Sequence, residues 1–212
     1  MTLRNLKTLV CSGIVLFALN SCKDQAKIDA DKKAMEDQIA MEEAKIKVEA
    51  EKAKVEAKKN EMKAKSIAAL AHKNNELSTL LSAVKAADLE AMLSEPGNYT
   101  VFAPSNNAFE KLPNNRSIAE LGKEENKELL TNILQYHVIN DIISTDKLVN
   151  NIKEANGKYL MSTVAGSEIT AGLKNDKIVL KDEKGNKSEI VLGNVKASNG
   201  IIHIINDVLL TK

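Results

Sequence analysis

The side chains in this sequence that could carry chemistry are few and poorly spaced for it. Among 212 residues there are three histidines (His72, His137, His203) and two cysteines (Cys11, Cys22). A hydrolase would carry a Gly-x-Ser-x-Gly elbow or a His-Glu-x-x-His helix, and a nucleotide enzyme a phosphate-cradling glycine loop; none is present in the sequence. Two cysteines exclude a four-cysteine zinc site and a disulfide-dense scaffold. No spacing supports a metal site built from His137 and His203. The histidines read as structural. His137 follows Tyr136 and extends the apolar face of a helix; His203 alternates with Ile201 and Ile205 in an apolar run; His72 ends a helix, where a cation suits the dipole. The expectation is a protein without catalytic residues, metal or cofactor.

Charge narrows the partners. With 30 Lys+Arg against 29 Asp+Glu, the formal net charge is +1, which gives no bulk attraction to nucleic acid or to a membrane surface. That average conceals three zones of different composition.

Residues 1–22 carry Arg4 and Lys7, an apolar run from Leu9 to Leu19, and then Asn20-Ser21-Cys22. A basic start, a short apolar stretch and small residues before a cleavage point describe a secretory signal, and the run is shorter than the ~20 residues a bilayer-crossing helix needs. Leu19-Asn20-Ser21-Cys22 resembles the lipobox of bacterial lipoproteins. The resemblance implies a signal peptide of 1–21 and a mature chain that starts at an acylated Cys22, the alternative being an ordinary signal with an incidental cysteine. Cys11 would leave with the signal, and no disulfide could form within the mature chain.

Residues 23–65 hold 12 Lys, 11 Asp+Glu, many Ala, no Gly and no Pro. Alternating signs place opposite charges four apart at Asp29/Lys33, Lys45/Glu49, Lys47/Glu51, Lys52/Glu56 and Glu61/Lys65. Strong helix formers and matched charge predict a long solvated helix. Met41, Val48, Val55 and Met62 recur every seven residues, but the companion seam positions are Ala44, Glu51 and Lys58. The readings are a single helical spacer or a weak coiled coil, with self-association through 23–65 as its consequence.

Residues 66–212 contain all three prolines and every glycine except Gly13, and are long enough for one buried core. Helical spacing runs through Ile67, Leu70, Ala71 and Leu77, Leu80, Leu81, Val84, with a break at Asn74-Asn75. A further helix is expected over Ala86–Leu93, before the Pro96-Gly97 turn. Tyr99–Ala103 reads as a buried strand stopped by Pro104, with Ser105 capping the next helix and Phe109 and Leu112 facing inward. Leu129, Leu130, Ile133 and Leu134 lie on one face of a helix from Asn126 to Tyr136, and Val138, Ile139 and Ile142-Ile143 follow as extended chain. Ile169–Leu173, Ile178–Leu180 and Ile190–Leu192 make a meander, and Ile201–Leu210, apolar on both faces, reads as a central strand. Helices first and strands later give an α+β fold.

Three ordered segments now resemble the fasciclin domain family: Thr100-Val-Phe-Ala-Pro-Ser-Asn-Asn-Ala-Phe109, Asn132-Ile-Leu-Gln-Tyr-His-Val138, and Asn199-Gly-Ile-Ile-His-Ile-Ile-Asn-Asp-Val-Leu-Leu210, with Thr163 and Gly166 between the last two. Asn206, Asp207 and Thr211 stand where the family more often has Asp, Gly and Pro. The resemblance implies a compact wedge, a β-sandwich flanked by helices, over 66–212. It also implies adhesion or surface interaction without catalysis. The motif residues carried over are Thr100, Phe102, Pro104, Asn106, Phe109, Tyr136, His137, Asn199, Gly200 and His203.

Their chemistry suits a scaffold. Phe102 and Phe109 are among the few aromatics and should anchor the core. Pro104 ends its strand because it donates no hydrogen bond. Asn106 can bond its own backbone in a turn, and Asn199-Gly200 permits a positive φ before the last strand. The expected role is a lipid-anchored cell-envelope protein (outer membrane, surface or periplasmic face) that presents a binding head to proteins or polysaccharides, through Ser105–Asn107 and an Asn150–Lys158 loop. The alternative is an architectural envelope protein that oligomerises through its charged helix. Lys212 is similar to the C-terminal lysine of small lipoproteins joined to peptidoglycan, the favoured alternative being a lysine there by chance.

Overall fold

The computed structural model of the chain describes residues 25–112 and 118–211. The expected signal, the acylated Cys22, Pro113 and Lys212 lie outside the described residues. The chain divides into two units, Met1–Val55 and Glu56–Lys212.

Helix α1 runs from Gln25 to Ala64, about 60 Å at 1.5 Å per residue. Of the charge pairs expected from spacing, Glu61–Lys65 forms at 2.9 Å, while Lys45 turns from Glu49 to Glu42, three residues back; Lys54 likewise pairs three residues back with Glu51. These pairs are exposed, so solvent screening leaves each with little effect on stability.

The second unit begins inside the last turns of α1. Ser198 donates its N–H to Lys65 O at 2.9 Å and its hydroxyl to Met62 O. Met62 O also accepts from Lys65 N–H, while Lys65 O lies just past the helix end, and the turn between two strands supplies a donor to each. Ser66 then caps α2 (Ile67–Lys73) by accepting from Ala69 N–H, and a 3-10 turn leads into α3 (Ser78–Ala86). The helix expected over Ala86–Leu93 is displaced: α3 ends at Ala86, Asp88 takes a left-handed φ of 57°, and α4 covers Glu90–Ser94. An aspartate tolerates that conformation and breaks the apolar register that spacing alone joined.

Strand β1 (Tyr99–Pro104) feeds α5 (Asn106–Glu110). After α6 (Ile118–Leu121), α7 (Lys127–Tyr136) buries Leu130, Ile133 and Leu134. Leu129, expected on the same face, stays 38% exposed. Strand β2 is only Val138–Ile139; Ile142-Ile143 is not a strand, and of the two only Ile143 is buried.

Two elements were not legible. Helix α8 (Thr145–Glu154) begins at Ser144, whose hydroxyl accepts from Lys147 N–H, and buries Leu148 and Ile152 four residues apart. The expected Asn150–Lys158 loop is therefore helical through Glu154. Strand β3 (Tyr159–Ser162) pairs with β4 (Glu168–Lys174). Strands β5 (Lys177–Lys181) and β6 (Lys187–Ala197) complete the expected meander, and β7 (Gly200–Ile205) closes the fold.

Strand order is β2-β1-β7-β6-β5-β4-β3, with β1 parallel to β7 and the other neighbours antiparallel. β6 bends through two register shifts as it passes from β5 to β7, which folds the sheet into two sandwich-like halves. Val164 N–H donates to Val138 O at 2.8 Å, so the chain leaving β3 bonds the opposite edge strand.

Both faces of the central strands are covered, which is why β7 has no polar side. Val101, Ala103, Ile202 and Ile204 join the core beneath α2, α3 and α7. Phe102 and Ile205, alternate residues on the same strands, join a second core with Tyr136, Leu148, Ile152, Ile169 and Leu180.

Candidate functional site

The family-motif residues converge, but inward. Thr100 is fully buried; its hydroxyl donates to Asp141 O at 2.6 Å and accepts from Ile143 N–H at 2.9 Å. It pins the irregular stretch between β2 and α8. Phe102 stacks on the His203 ring, centroids 5.6 Å apart. Pro104 is the last residue of β1, opposite Ile205, and Ser105 N–H donates to Ile205 O. The Ser105 side chain makes no cap hydrogen bond; the cap is its carbonyl, which accepts from Ala108 N–H.

Asn106 does not bond its own backbone as expected. Its Oδ1 accepts from Thr79 N–H at 3.0 Å and its Nδ2 donates to Asn75 O at 2.9 Å. It satisfies the orphan Thr79 N–H in the first turn of α3 and adds a second donor to Asn75 O of the preceding turn, and so ties α5 to both. Phe109 is buried in the first core.

Asn199 is a buried hub. Oδ1 accepts from Ile67 N–H, Nδ2 donates to both Leu93 O and Glu95 O, each at 2.9 Å, and its carbonyl accepts from Tyr99 N–H. The side-chain amide thus joins the start of α2 to the end of α4, and the backbone carbonyl of the same residue adds the entry to β1. Gly200 does not make the tight positive-φ turn that was expected: its φ of 159° is nearly extended. A Cβ there would collide with the Tyr99 carbonyl, so close approach of two backbones is what requires glycine.

The Tyr136-His137 pair is sealed. The Tyr136 hydroxyl donates to Glu168 O at 2.8 Å and accepts from Glu183 N–H, and burial pushes its pKa up to about 12. His137 holds Ile133 O at 2.7 Å through Nδ1 and accepts from Leu209 N–H at 3.0 Å through Nε2. Accepting an N–H requires an unprotonated nitrogen, so the ring is neutral with its proton on Nδ1. Burial agrees, lowering the pKa to about 4.

His203 uses the opposite tautomer. Nε2 donates to Ile143 O at 2.8 Å and Nδ1 accepts from Asn194 N–H at 3.2 Å; burial lowers its pKa too. In both rings each nitrogen is occupied, so neither has a lone pair free to bind a metal or abstract a proton. His72, by contrast, is partly exposed and pairs with Glu90 of α4 at 2.8 Å, a tie between helices.

Sequence reasoning missed the bulge that completes the His203 site. Gly193 and Asn194 lie where β6 slips against β7. Asn194 takes a left-handed φ of 61°, accepts from Thr145 N–H at 2.9 Å through Oδ1 and donates Nδ2 to Thr145 Oγ1. A Cβ on Gly193 would collide with Thr145 Cγ2 and sit 3.3 Å from His203 Nδ1. The dipeptide Gly-Asn between apolar residues was the available signal. Asp182 was missed as well. It is buried and accepts from Asn186 N–H, Asn186 Nδ2 and Leu210 N–H, tying the β5–β6 turn to the chain end.

The departures at 206 and 207 form a clasp. Asn206 Oδ1 accepts from Glu189 N–H, the Ser188 hydroxyl donates to Asp207 O, and Lys111 reaches the Asp207 carboxylate at 3.1 Å. Beside Lys111, an open groove is lined by Glu76, Ser105, Asn107, Val191 and Asn206. Thr163 and Gly166 do share a turn: Thr163 Oγ1 donates to Ser167 O, and Gly166 sits at φ 81°.

A family model described as the fasciclin domain matches residues 75–211. The chain belongs to the fasciclin domain family. Protein sll1483 of Synechocystis is 38% identical over 145 residues, covering 68% of this chain and 73% of that protein. Transforming growth factor-beta-induced protein ig-h3 of Sus scrofa is 32% identical over 136 residues, 64% of this chain but only 18% of that protein. A FAS1 domain pair from the insect cell adhesion molecule fasciclin I matches with a TM-score of 0.54 at 19% identity, over 68% of this chain and 50% of that one; that likeness is one of fold. Among the described residues no helix is long and apolar enough to cross a membrane, and no cluster of metal-ligating side chains is present.

Proposed function

We propose that this protein is held at the cell envelope by an acyl group on Cys22 and uses its fasciclin domain as a non-catalytic binding head for another protein. The observation that carries the reading is the occupancy of every polar atom in the motif. Thr100, Tyr136, His137, Asn199 and His203 are all spent on framework hydrogen bonds, and among the described residues no buried side-chain nitrogen or oxygen lacks a partner. A catalytic centre needs such groups turned toward a cleft that substrate can reach, and these are buried. What remains for function is the outer surface.

A protein partner is favoured over a polysaccharide by the aromatics. Phe102, Phe109 and Tyr136 are buried and Tyr99 and Tyr159 partly so, which leaves no exposed ring of these five for a sugar to stack on. Tethering supports weak binding: many heads on one membrane gain avidity without a stronger single contact.

The test is mass spectrometry of the membrane-associated protein, external protease treatment of intact cells, and capture of partners by the full chain. The reading expects an acylated residue 22 at the N-terminus and a partner whose retention falls when the copies are freed from the membrane. A free, unmodified residue 22 overturns the anchor. Turnover of a substrate by the pure protein overturns the non-catalytic head.

A further inference from the structure

Helix α1 has no single apolar face. At 100° per residue, Met41, Val48 and Val55 fall on one stripe and Met35, Ile39 and Ile46 on another, roughly opposite. All six are exposed, from 47% at Ile39 to 64% at Met41. Charge separates the stripes. Pairing two copies along Met41, Val48 and Val55 sets Lys47 of one beside Lys52 of the other and Lys54 beside Lys59 in a parallel arrangement; an antiparallel one also sets lysine against lysine. That seam repels itself, although its seven-residue spacing is the more visible in the sequence.

The opposite stripe does the reverse. With Ile39, Ile46 and Ala53 at one core position and Ala50 and Ala57 at the other, Glu42 flanks Lys47 of the second copy and Glu49 flanks Lys54. An antiparallel pairing on this stripe would face Glu with Glu and Lys with Lys, so only the parallel, in-register arrangement gains. Glu43 at a core position and Glu56 opposite Glu61 keep the association weak. The exposed Lys45–Glu42 and Lys54–Glu51 pairs within one helix rearrange at little cost.

We propose that α1 pairs weakly, parallel and in register, with α1 of a second copy through Ile39, Ile46, Ala50 and Ala53. The pairing stands on the helix pattern and not on the acyl anchor; confinement to a membrane would raise its occupancy.

The test is cysteine cross-linking of the full chain in membranes, with the parent chain giving the background from Cys22. Ile39→Cys and Ile46→Cys should each give disulfide-linked dimer several-fold above background, and Val48→Cys should not. Glu42→Lys with Glu49→Lys should remove the Ile46→Cys dimer, and adding Lys47→Glu and Lys54→Glu should restore it. Cross-linking at Val48 equal to that at Ile46, at only one of positions 39 and 46, at neither, or unchanged by charge reversal overturns the pairing. Failure of the anchor would lower the protein's share in the membrane fraction without changing which positions cross-link.

Discussion

The backbone N–H of Leu209 donates to Nε2 of His137 at 3.0 Å, across 72 positions of sequence. The other ring nitrogen binds Ile133 O within α7, so one imidazole fastens the C-terminal segment to a helix end. The side chain that looks most like chemistry in this protein is a clamp.

The clamp is acid-sensitive. The folded pKa of His137 is lowered from 6.5 to about 4 by burial, so the unfolded chain takes up a proton that the folded one refuses. The contribution is present above pH 6.5, is lost as the pH falls toward 4, and amounts to roughly 3 kcal/mol. His203, also lowered, acts in the same direction. Denaturant melts at pH 7 and pH 4.5 should differ by most of that amount, and His137→Gln should flatten the slope while lowering stability at pH 7.

Gly193→Ala should destabilise by about 1–3 kcal/mol, because the new methyl meets Thr145 Cγ2. Thr145→Ser keeps the hydroxyl that Asn194 binds and deletes the colliding methyl. The double variant should therefore recover most of the loss, a coupling that a thermal-melt double-mutant cycle reads directly. Independent, additive effects would count against the collision.

Asn199→Ala leaves Ile67 N–H, Leu93 O and Glu95 O without the side-chain partner they have now. Buried groups stripped of partners cost about 1–3 kcal/mol each before water relieves them, so a loss of roughly 3 kcal/mol is expected. Asn199→Asp keeps the acceptor but loses both donors, and should be no better.

A head begun at Glu56 should melt higher than one begun at Ser66, by about 1–2 kcal/mol of stability. The shorter chain loses the Met62 and Lys65 carbonyls that Ser198 binds and the Lys63–Glu95 contact. Equal melting points would place the boundary at 66.

Much of the framework was readable from local pattern. The Pro104 stop, the α7 face and the doubly apolar β7 each follow from the types of neighbouring residues. Helix α8 was hidden because Asn150-Asn151 and a polar surround mask a face made of only Leu148 and Ile152. Asn106 prefers by type to bond its own backbone, but the Thr79 N–H of α3 takes its side-chain oxygen instead, and Ser105 starts α5 without a side-chain cap bond. The Gly193-Asn194 bulge carried a turn signal with no indication of what it turned toward.

Sequence alone determined the helices with a strong charge or apolar pattern (α1, α2, α3 and α7) and the double burial of β1 and β7, because these depend on periodicity and on the types of neighbouring residues. Only the tertiary structure decided that His137 and His203 hold opposite tautomers, that Gly200 answers to the Tyr99 carbonyl, and that one asparagine gathers three elements. Those outcomes depend on which backbone groups arrive from 60 to 130 residues away, and no local pattern specifies who the distant partner will be.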